Sequence, residues 1–295
     1  MPACGAGEPG DEAVEKVAPA FENGEAVRWK LPEALDEISG LALDTQNMVY
    51  AVADEQAAVF KIDPGSGKML SVFSFDRPAL RGDFEGIALL AGWLYLITSD
   101  GTLVRTKVPT DASAVDGSWV NYERFELPTR CEIEGLDRDP EEPWLWIACK
   151  KTQGTQALRL YAWNATTKSL VPEATRELPV EALKKRTGQK RFKPSGIAFT
   201  QIDGDSNLVI ISGAQRAWSV WHWTDRPRLR AAGRLPKAHK QAEGIAFTAG
   251  GDLLLADEGG KKSARLRIYS ASHSPVVLAG KEGDEKYTSV VDDKQ

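Results

Sequence analysis

The sequence contains few of the side chains that most often carry acid–base, metal or redox chemistry. Its 295 residues include three histidines, three cysteines and three methionines. It has no Gly-x-Ser-x-Gly nucleophile elbow, no His-Glu-x-x-His zinc motif and no phosphate-binding loop. These absences argue against the hydrolases, zinc proteases and nucleotide-binding enzymes that such motifs identify.

Long apolar runs and helical periodicity are also missing. No apolar stretch reaches the about 18 residues that a membrane-spanning helix needs. No long window repeats its apolar residues every 3.6 positions, which argues against a helical fold. The formal net charge is -5, so nucleic acid is not the expected partner.

A short phrase built around a glycine recurs five times. The glycines are spaced 46, 49, 61 and 48 residues apart. A period in this range is typical of the blades of a β-propeller. The five copies read Ile38-Ser39-Gly40-Leu41-Ala42-Leu43, Phe84-Glu85-Gly86-Ile87-Ala88-Leu89, Ile133-Glu134-Gly135-Leu136-Asp137, Pro194-Ser195-Gly196-Ile197-Ala198-Phe199 and Ala242-Glu243-Gly244-Ile245-Ala246-Phe247.

Each copy is accompanied by three other runs of apolar, β-branched and aromatic residues. For the first copy, two runs follow at Met48 to Ala53 and Val59 to Ile62, and one precedes it at Val27 to Leu31. Such runs, cut by turn residues, indicate antiparallel strands. Four strands in each of five repeats predict an all-β, five-bladed propeller. We expect the strand at Val27 to Leu31 to close the ring by pairing with the last blade, although Val276 to Leu278 competes for that edge.

The two ends of the chain differ from the repeats. We divide the chain into a disordered tether (residues 1–24), the propeller (25–280) and a flexible tail (281–295), because both ends are polar or charged and have no strand pattern. Pro2-Ala3-Cys4-Gly5 is similar to the end of a bacterial lipoprotein signal, in which Cys4 would be lipidated. The alternative is a disordered N-terminus without a lipid anchor.

Two cysteines bear on the cellular compartment. Cys131 and Cys149 flank a predicted hairpin, and they would face each other if its register were symmetric about residue 140. Opposed strand positions lie at distances that a disulfide tolerates. A disulfide would require an oxidising compartment, such as the periplasm or the outer envelope. The alternative is a pair of reduced core thiols.

The residue before each repeated glycine is a candidate metal ligand. The first strand of each propeller blade lines the central channel, so these five residues should face it together. Three carboxylates in one narrow channel repel one another unless a cation lies between them. An all-oxygen ligand set favours Ca²⁺, with Mg²⁺ as second choice. Alternatively, the glutamates bond backbone amides and water without a metal. The predicted ligands are Ser39, Glu85, Glu134, Ser195 and Glu243.

A second group of polar residues should form the rim of the same face. They follow the second strand of a blade or, for one of them, precede the first strand. Together with a metal, Lys150 and Arg216 on this rim would suit a small anionic ligand such as a carboxylate, phosphate or sugar acid. Individually, such residues are more often ordinary surface turns. The predicted rim residues are Glu37, Asp54, Glu55, Asp100, Lys150, Arg216, Asp257 and Glu258.

These motifs, in this order, resemble the SdiA-regulated family of bacterial envelope proteins, five-bladed relatives of the NHL-repeat propellers. The resemblance covers roughly residues 26 to 270. It implies a propeller with a calcium site, an exported location and no established biochemical activity. The segments that carry it are Glu37 to Leu41, Asp83 to Ile87, Cys131 to Leu136 with Ala148 to Lys150, Lys193 to Ala198 and Ala242 to Ala246.

Three functions remain open from the sequence. The first is a monomeric calcium-binding propeller of the cell envelope, exported to the periplasm or outer envelope, that binds a small anionic or glycan ligand, or an envelope protein, on its channel face. Its only membrane contact would be an N-terminal lipid anchor. The second is a metal-dependent hydrolase of the lactonase or phosphoesterase type, which needs a base that Glu55, Asp100, Glu258 or His239 would supply. The third is a structural scaffold without a metal.

Overall fold

The chain forms the five antiparallel sheets of a β-propeller, which confirms the predicted fold. The computed structural model describes residues 26–109, 118–129, 131–152, 157–187, 191–260, 262–272 and 274. The strands in chain order are β1 Val27–Lys30, β2 Ile38–Leu43, β3 Val49–Ala53, β4 Ala58–Ile62, β5 Met69–Phe75, β6 Phe84–Leu90, β7 Trp93–Thr98, β8 Thr102–Lys107, β9 Ser118–Val120, β10 Glu123–Glu126, β11 Cys131–Arg138, β12 Trp144–Thr152, β13 Ala157–Asn164, β14 Ser169–Leu170, β15 Arg176–Pro179, β16 Gly196–Ile202, β17 Asp205–Ser212, β18 Ala217–His222, β19 Arg228–Arg234, β20 Ala242–Phe247, β21 Leu253–Asp257 and β22 Arg265–Tyr269.

Three short helical segments lie between these strands in the described ranges. Two are 3-10 helices, at Glu33–Leu35 and Pro172–Ala174, and one is the α-helix α1 at Val180–Thr187. No helix in the described ranges is long and apolar enough to cross a membrane.

Each repeat of the sequence builds one blade. The strand orders are β2-β3-β4-β5-β9 in blade 1, β6-β7-β8-β10 in blade 2, β11-β12-β13 with β14 and β15 in blade 3, β16-β17-β18-β19 in blade 4 and β20-β21-β22-β1 in blade 5. The N-terminal strand β1 pairs antiparallel with β22, with Val27 opposite Ile268. The ring is therefore closed by joining the two ends of the described chain, as the sequence predicts.

The path of the chain between β8 and β10 of blade 2 departs from the regular pattern. The sequence indicates one strand from Val120 to Leu127, but the structure has two. Strand β9 pairs parallel with β5 as a fifth strand of blade 1, whereas β10 pairs with β8 in blade 2. The chain therefore returns to blade 1 before it completes blade 2.

The described residues form five hydrophobic core clusters, each between two neighbouring blades. One cluster, for example, packs Tyr50 and Phe73 of blade 1 against Ile87 and Leu96 of blade 2. The corresponding cluster between blades 5 and 1 includes Trp29, which is almost fully buried. Because both faces of a blade are covered, its inner strands are apolar at almost every position rather than at alternate ones.

The repeated glycines form a ring of close contacts around the propeller axis. Each lies against the first strand of the next blade, where a side chain would not fit. A Cβ atom would lie 2.9 Å from Ile87 Cγ2 at Gly40, 2.7 Å from Leu136 Cβ at Gly86, 3.2 Å from Ile197 N at Gly135, 2.6 Å from Glu243 O at Gly196 and 2.8 Å from Leu41 Cγ at Gly244. The repeat in the sequence therefore reflects the closure of the ring.

Some predictions lie outside the described residues. They are the tether at residues 1–24 with Cys4, the competing edge strand at Val276 to Leu278 and the tail at residues 281–295. These stay predictions.

Candidate functional site

A β-bulge in four of the five first strands coincides with the predicted channel residues. The register shifts between Ile38 and Gly40 in β2, between Phe84 and Gly86 in β6, and between Ala242 and Gly244 in β20. In β11 the shift lies between Ile133 and Leu136. A bulge leaves one residue out of the ladder and re-aims its side chain. In this way Ser39, Glu85, Glu134 and Glu243 leave the regular alternation of their strands.

The axis of the propeller is narrow at this level. A cavity of about 10 Å³ lies within the glycine ring, lined among others by Ser39, Glu85 and Glu243. That volume holds about one water molecule. The opening therefore admits a single small ion or water, and not an organic ligand.

The two predicted hydroxyl ligands already bond to the backbone. The Ser195 hydroxyl donates to the Ala242 carbonyl oxygen at 2.7 Å and accepts from the Gly213 amide at 2.8 Å. The Ser39 hydroxyl donates a long bond of 3.4 Å to the carbonyl oxygen of Val52. Both serines therefore stabilise the inner strands.

Lys150 places a positive charge among the channel carboxylates. Its ammonium bonds the carboxylate of Glu134, which is only 3 % exposed, and lies 3.3 Å from Glu132 Oε1. Burial lowers the pKa of Lys150, but the hydrogen bond and charge of Glu134 outweigh it and raise that pKa overall. The lysine therefore stays charged and neutralises one carboxylate of the ring.

Glu85 and Glu243 make no ion pair with a cation of the described residues, and the charge of Lys150 lowers their pKa values only in part. Burial, followed by repulsion from Glu134 and Asp83, raises the pKa of Glu85 to about 9. Burial, followed by repulsion from Glu258 and Glu134, raises the pKa of Glu243 to about 8. Both carboxyl groups therefore favour the protonated, neutral form at neutral pH. A nearby cation would lower these pKa values and favour the ionised form.

Some of the predicted rim residues add further carboxylates around Glu85 and Glu243. The pKa of Asp54 is raised by burial and then by Glu37, and that of Glu258 by burial and then by Asp54 and Glu37. The Asp54 Oδ1 atom is buried and accepts no hydrogen bond from the described residues. The described part of the channel mouth is therefore strongly acidic, with Lys150 among its carboxylates.

Other predicted rim residues lie elsewhere or have other partners. Asp257 is directed into the protein, where it bonds Nδ1 of the fully buried His239 at 2.8 Å and the guanidinium of Arg267. His239 is therefore not accessible as a base. Asp100 lines a separate cavity in blade 2. Arg216 is half-buried, and its amide closes a turn by bonding Gly213 O.

Glu55 is exposed, and its carbonyl oxygen accepts from the Gly82 amide at 3.3 Å. The anion pocket predicted between Lys150 and Arg216 stays a prediction. The ammonium of Lys150 is already paired with Glu134, so it is less available to an anionic ligand.

A disulfide joins the two strands that carry the lysine and its partners. Cys131 and Cys149 are linked, with their Cα atoms 5.7 Å apart. They are not directly opposed, since Cys131 faces Thr152 and Cys149 faces Ile133 across the register shifts of β11. The bridge lies next to Glu132 and Lys150 in sequence and fixes the strand pair that presents them.

Sequence reasoning missed two acidic residues of the mouth. Asp83 raises the pKa values of Glu85 and Asp54, and Glu132 contacts Lys150. Glu132 lies two residues before Glu134, but this spacing does not identify it, because the register shifts of β11 interrupt the alternation of side chains at these positions. Asp83 precedes its strand, where no alternation applies.

The predicted metal ligands do not form a ready-made site. Among the residues that the structure describes, no three His, Cys, Asp or Glu side chains are arranged to hold a metal ion. The chemistry of the carboxylates at the mouth suits a hard cation, but the serine hydroxyls and Glu134 are engaged by the protein itself. Only part of the predicted ligand set therefore fits a metal.

The chain is similar to one protein family and to several solved structures. A family model described as SdiA-regulated matches residues 24–260. A structure of luciferin-regenerating enzyme superposes with a TM-score of 0.53 at 14% identity, covering 83% of this chain and 95% of that chain. Virginiamycin B lyase from Staphylococcus aureus gives a TM-score of 0.44 at 12% identity, over 81% of this chain and 68% of that one. No curated protein matches the sequence.

Proposed function

The chain belongs to the SdiA-regulated family, and we propose that it is a propeller of the cell envelope that binds Ca²⁺ at its acidic channel mouth. The observation that carries this proposal is the pair of half-buried carboxyl groups of Glu85 and Glu243, which line the same axial cavity and whose pKa values are raised to about 9 and about 8. The charge of Lys150 offsets the desolvation and repulsion of these two carboxyl groups only in part, so a bound cation beside them would be strongly favoured.

The residues that would hold the ion are carboxylates. Glu85 and Glu243 would supply the first oxygen ligands from the axis, and Glu134 would join them once Lys150 moves away. Asp54 offers a further buried oxygen that takes no hydrogen bond from the described residues. The axial cavity of about 10 Å³ supports a single ion rather than an organic cation. When bound, Ca²⁺ would stabilise the ring of carboxylates by replacing their mutual repulsion with attraction.

The acidic charge of the mouth also bears on the ligand class. Glu37, Asp54 and Glu258 influence one another there, and such a field repels a small anion that approaches the axis. This field therefore supports the proposed cation and argues against the small anionic ligand that the sequence predicts on the same face.

The proposal also includes a cellular compartment outside the cytoplasm. The bond between Cys131 and Cys149 supports an oxidising environment, and extracytoplasmic Ca²⁺ sites of modest affinity are common. We therefore place the protein in the periplasm or on the outer envelope.

Calorimetric titration of chelator-treated protein with Ca²⁺ tests the proposal. We expect saturable heat with one ion per chain, and a rise in melting temperature that grows with ion concentration, because a ligand of the folded state stabilises it. Mg²⁺ should bind more weakly, since it demands a tighter octahedral site. No heat together with an unchanged melting temperature would reject a metal role.

Replacement of Lys150 by glutamine should strengthen Ca²⁺ binding. The ammonium competes with the ion for Glu134, so its removal should lower the Kd about tenfold. The matched control is Lys107→Gln, which changes the same charge on β8, where the lysine ammonium lies over the Trp93 ring. An unchanged or weaker affinity in Lys150→Gln would show that the lysine and the ion do not share a site.

The stability of the ion-free protein should fall as the pH rises. The folded-state pKa values of Glu85 and Glu243 lie above the ordinary value of 4.5, at about 9 and about 8. Their favourable contribution is complete below the ordinary pKa and is lost as the pH rises through 8 to 9. Urea unfolding in chelator at pH 5, 7 and 9 measures this loss. The variant Glu85→Gln/Glu243→Gln should show a flatter profile, and parallel profiles would contradict the assignment.

The hydrolase alternative receives less support from the geometry. A substrate would need room beside the metal, whereas the cavity within the ring measures about 10 Å³. His239, one of the candidate bases, is fully buried between Asp257 and the Tyr269 hydroxyl. We therefore propose binding rather than catalysis.

A further inference from the structure

A second cavity lies in blade 2, apart from the propeller axis. Its volume is about 160 Å³, and it is lined by the loop from Leu80 to Phe84 and by the turn between β7 and β8. A cavity of similar volume in another protein holds a benzene molecule, so this one admits a ligand of roughly six to ten non-hydrogen atoms. Unlike the axial opening, it is large enough for an organic ligand.

Side chains of both charges line this cavity. Arg81 and Arg124 provide two guanidinium groups, and Asp83 and Asp100 provide two carboxylates. The hydrogen bond from the Thr98 hydroxyl lowers the pKa of Asp100, so this carboxylate is ionised at neutral pH. The cavity therefore presents two positive and two negative groups to one small volume.

Several of these charged groups retain free hydrogen-bonding capacity. The guanidinium of Arg81 is exposed and makes no hydrogen bond or ion pair with the described residues. Arg124 donates from Nε to Glu126 at 2.7 Å and makes only a long contact of 3.5 Å to Thr102, through one terminal nitrogen.

Each carboxylate also keeps one oxygen without a donor among the described residues. Asp83 Oδ2 accepts from the Ser99 hydroxyl at 2.5 Å, and Asp100 Oδ1 accepts from the Thr98 hydroxyl at 2.5 Å and from the Thr102 amide at 3.3 Å. The other oxygens, Asp83 Oδ1 and Asp100 Oδ2, accept no such bond. Donors and acceptors are thus both available to a ligand.

The lining selects among ligand classes. A phosphate or other multivalent anion would meet the carboxylates of Asp83 and Asp100, and a simple amine would meet the two arginines. A sugar usually needs an exposed aromatic face, but the Phe84 ring is fully buried and Gly82 packs against its edge, with a Cβ there 3.1 Å from Phe84 Cε2. A small molecule with one carboxylate and one ammonium group satisfies both pairs of charges.

From this arrangement we propose that the blade 2 cavity binds a small zwitterion of the free α-amino acid type. The ligand carboxylate would bond Arg81 and Arg124, and its ammonium group would bond Asp83 and Asp100. Leu80 offers a small apolar surface for a short side chain. The site does not depend on the proposed Ca²⁺ site, although Asp83 also contributes to the charge of the channel mouth.

Calorimetry with single amino acids tests this proposal. L-alanine, L-serine, L-threonine and L-aspartate are titrated separately into the chelator-treated protein, so that failure of the calcium proposal does not affect the result. We expect at least one of them to bind with a stoichiometry of one. For L-serine, 3-hydroxypropionate and ethanolamine, which lack the ammonium or the carboxylate, should bind at least about tenfold more weakly.

Single substitutions then assign the binding to this cavity. Arg81→Gln and Asp100→Asn should each weaken binding about tenfold or more. Arg228→Gln, an exposed arginine at the start of β19 in blade 4, is the matched control and should bind as the wild type does. Because Arg81 is exposed, its replacement should leave the circular dichroism spectrum and melting temperature unchanged.

Three results would overturn the proposal. The first is that none of the four amino acids binds at a ligand concentration of about 10 mM, where even a millimolar Kd would be detected. The second is that 3-hydroxypropionate or ethanolamine binds as tightly as L-serine, and the third is that both Arg81→Gln and Asp100→Asn keep the wild-type affinity.

Discussion

Replacement of Gly196 by valine should destabilise the propeller by about 3 kcal/mol or more. A Cβ atom at this position would lie 2.6 Å from the carbonyl oxygen of Glu243, 3.2 Å from Ile245 Cγ2 and 3.3 Å from Ile211 Cγ1. The nearest of these atoms is backbone, so no side-chain rotation can relieve the contact. Because blades 4 and 5 meet here, the clash would force open the ring at the axis.

Urea unfolding measured by tryptophan fluorescence tests this expectation. Gly250→Val is the matched control, because a Cβ there would meet only Thr248 Oγ1, at 3.7 Å, and the residue is exposed. We expect the control to lie within about 0.5 kcal/mol of the wild type. A Gly196→Val protein as stable as the control would mean that close packing at the axis does not explain the repeated glycines.

The double substitution Glu85→Gln/Glu243→Gln should weaken Ca²⁺ binding at least about a hundredfold. It removes two carboxyl groups that would be ionised when Ca²⁺ is bound, and with them two strong oxygen ligands, while it preserves the size of both side chains. The same change should stabilise the ion-free protein above pH 8, since neither position can then carry a buried negative charge. Weaker Ca²⁺ binding together with higher stability of the ion-free protein is expected when the carboxylates of a binding site repel one another in the absence of the ion.

The matched control for this variant is Glu141→Gln/Glu177→Gln. It makes the same two Glu→Gln substitutions at an exposed turn after β11 and on the outer strand β15. Its Ca²⁺ affinity should remain within about twofold of the wild type, because exposed charges at a distance are screened by salt. If both variants lost affinity equally, the effect would come from net charge rather than from a site at the axis.

The architecture was readable from the sequence because one local requirement is repeated. Each glycine at the axis must accept the next blade, so Gly40 and its four equivalents mark the blades directly. Closure by Val27–Lys30 followed from its offset before Gly40. The parallel strand β9 was not readable, because Ser118–Val120 is only three residues long and its pairing with β5 is set by the tertiary path of the chain.

The candidate site was readable only in outline. The position before each glycine identifies Glu85, Glu134 and Glu243, but not the partner that each finds. The ion pair of Glu134 with Lys150 depends on two register shifts in β11, which no spacing rule reveals.

Two other partnerships were hidden from the sequence for similar reasons. Asp257 ends β21 as the pattern predicts, yet it bonds His239, which reaches it from a loop 18 residues earlier. The blade 2 cavity brings Arg81 and Arg124 together across 43 positions of sequence. Such pairings follow from packing between distant segments, whereas the repeat follows from backbone contacts at one axis.

A crystal structure of the protein grown with Ca²⁺ tests the central claim most directly. We expect density for one cation at the channel mouth, with oxygens of Glu85 and Glu243 about 2.3–2.6 Å from it and with the Lys150 ammonium displaced from Glu134. Density for the cation only at the outer surface, or an empty mouth with Lys150 still paired to Glu134, would contradict the account.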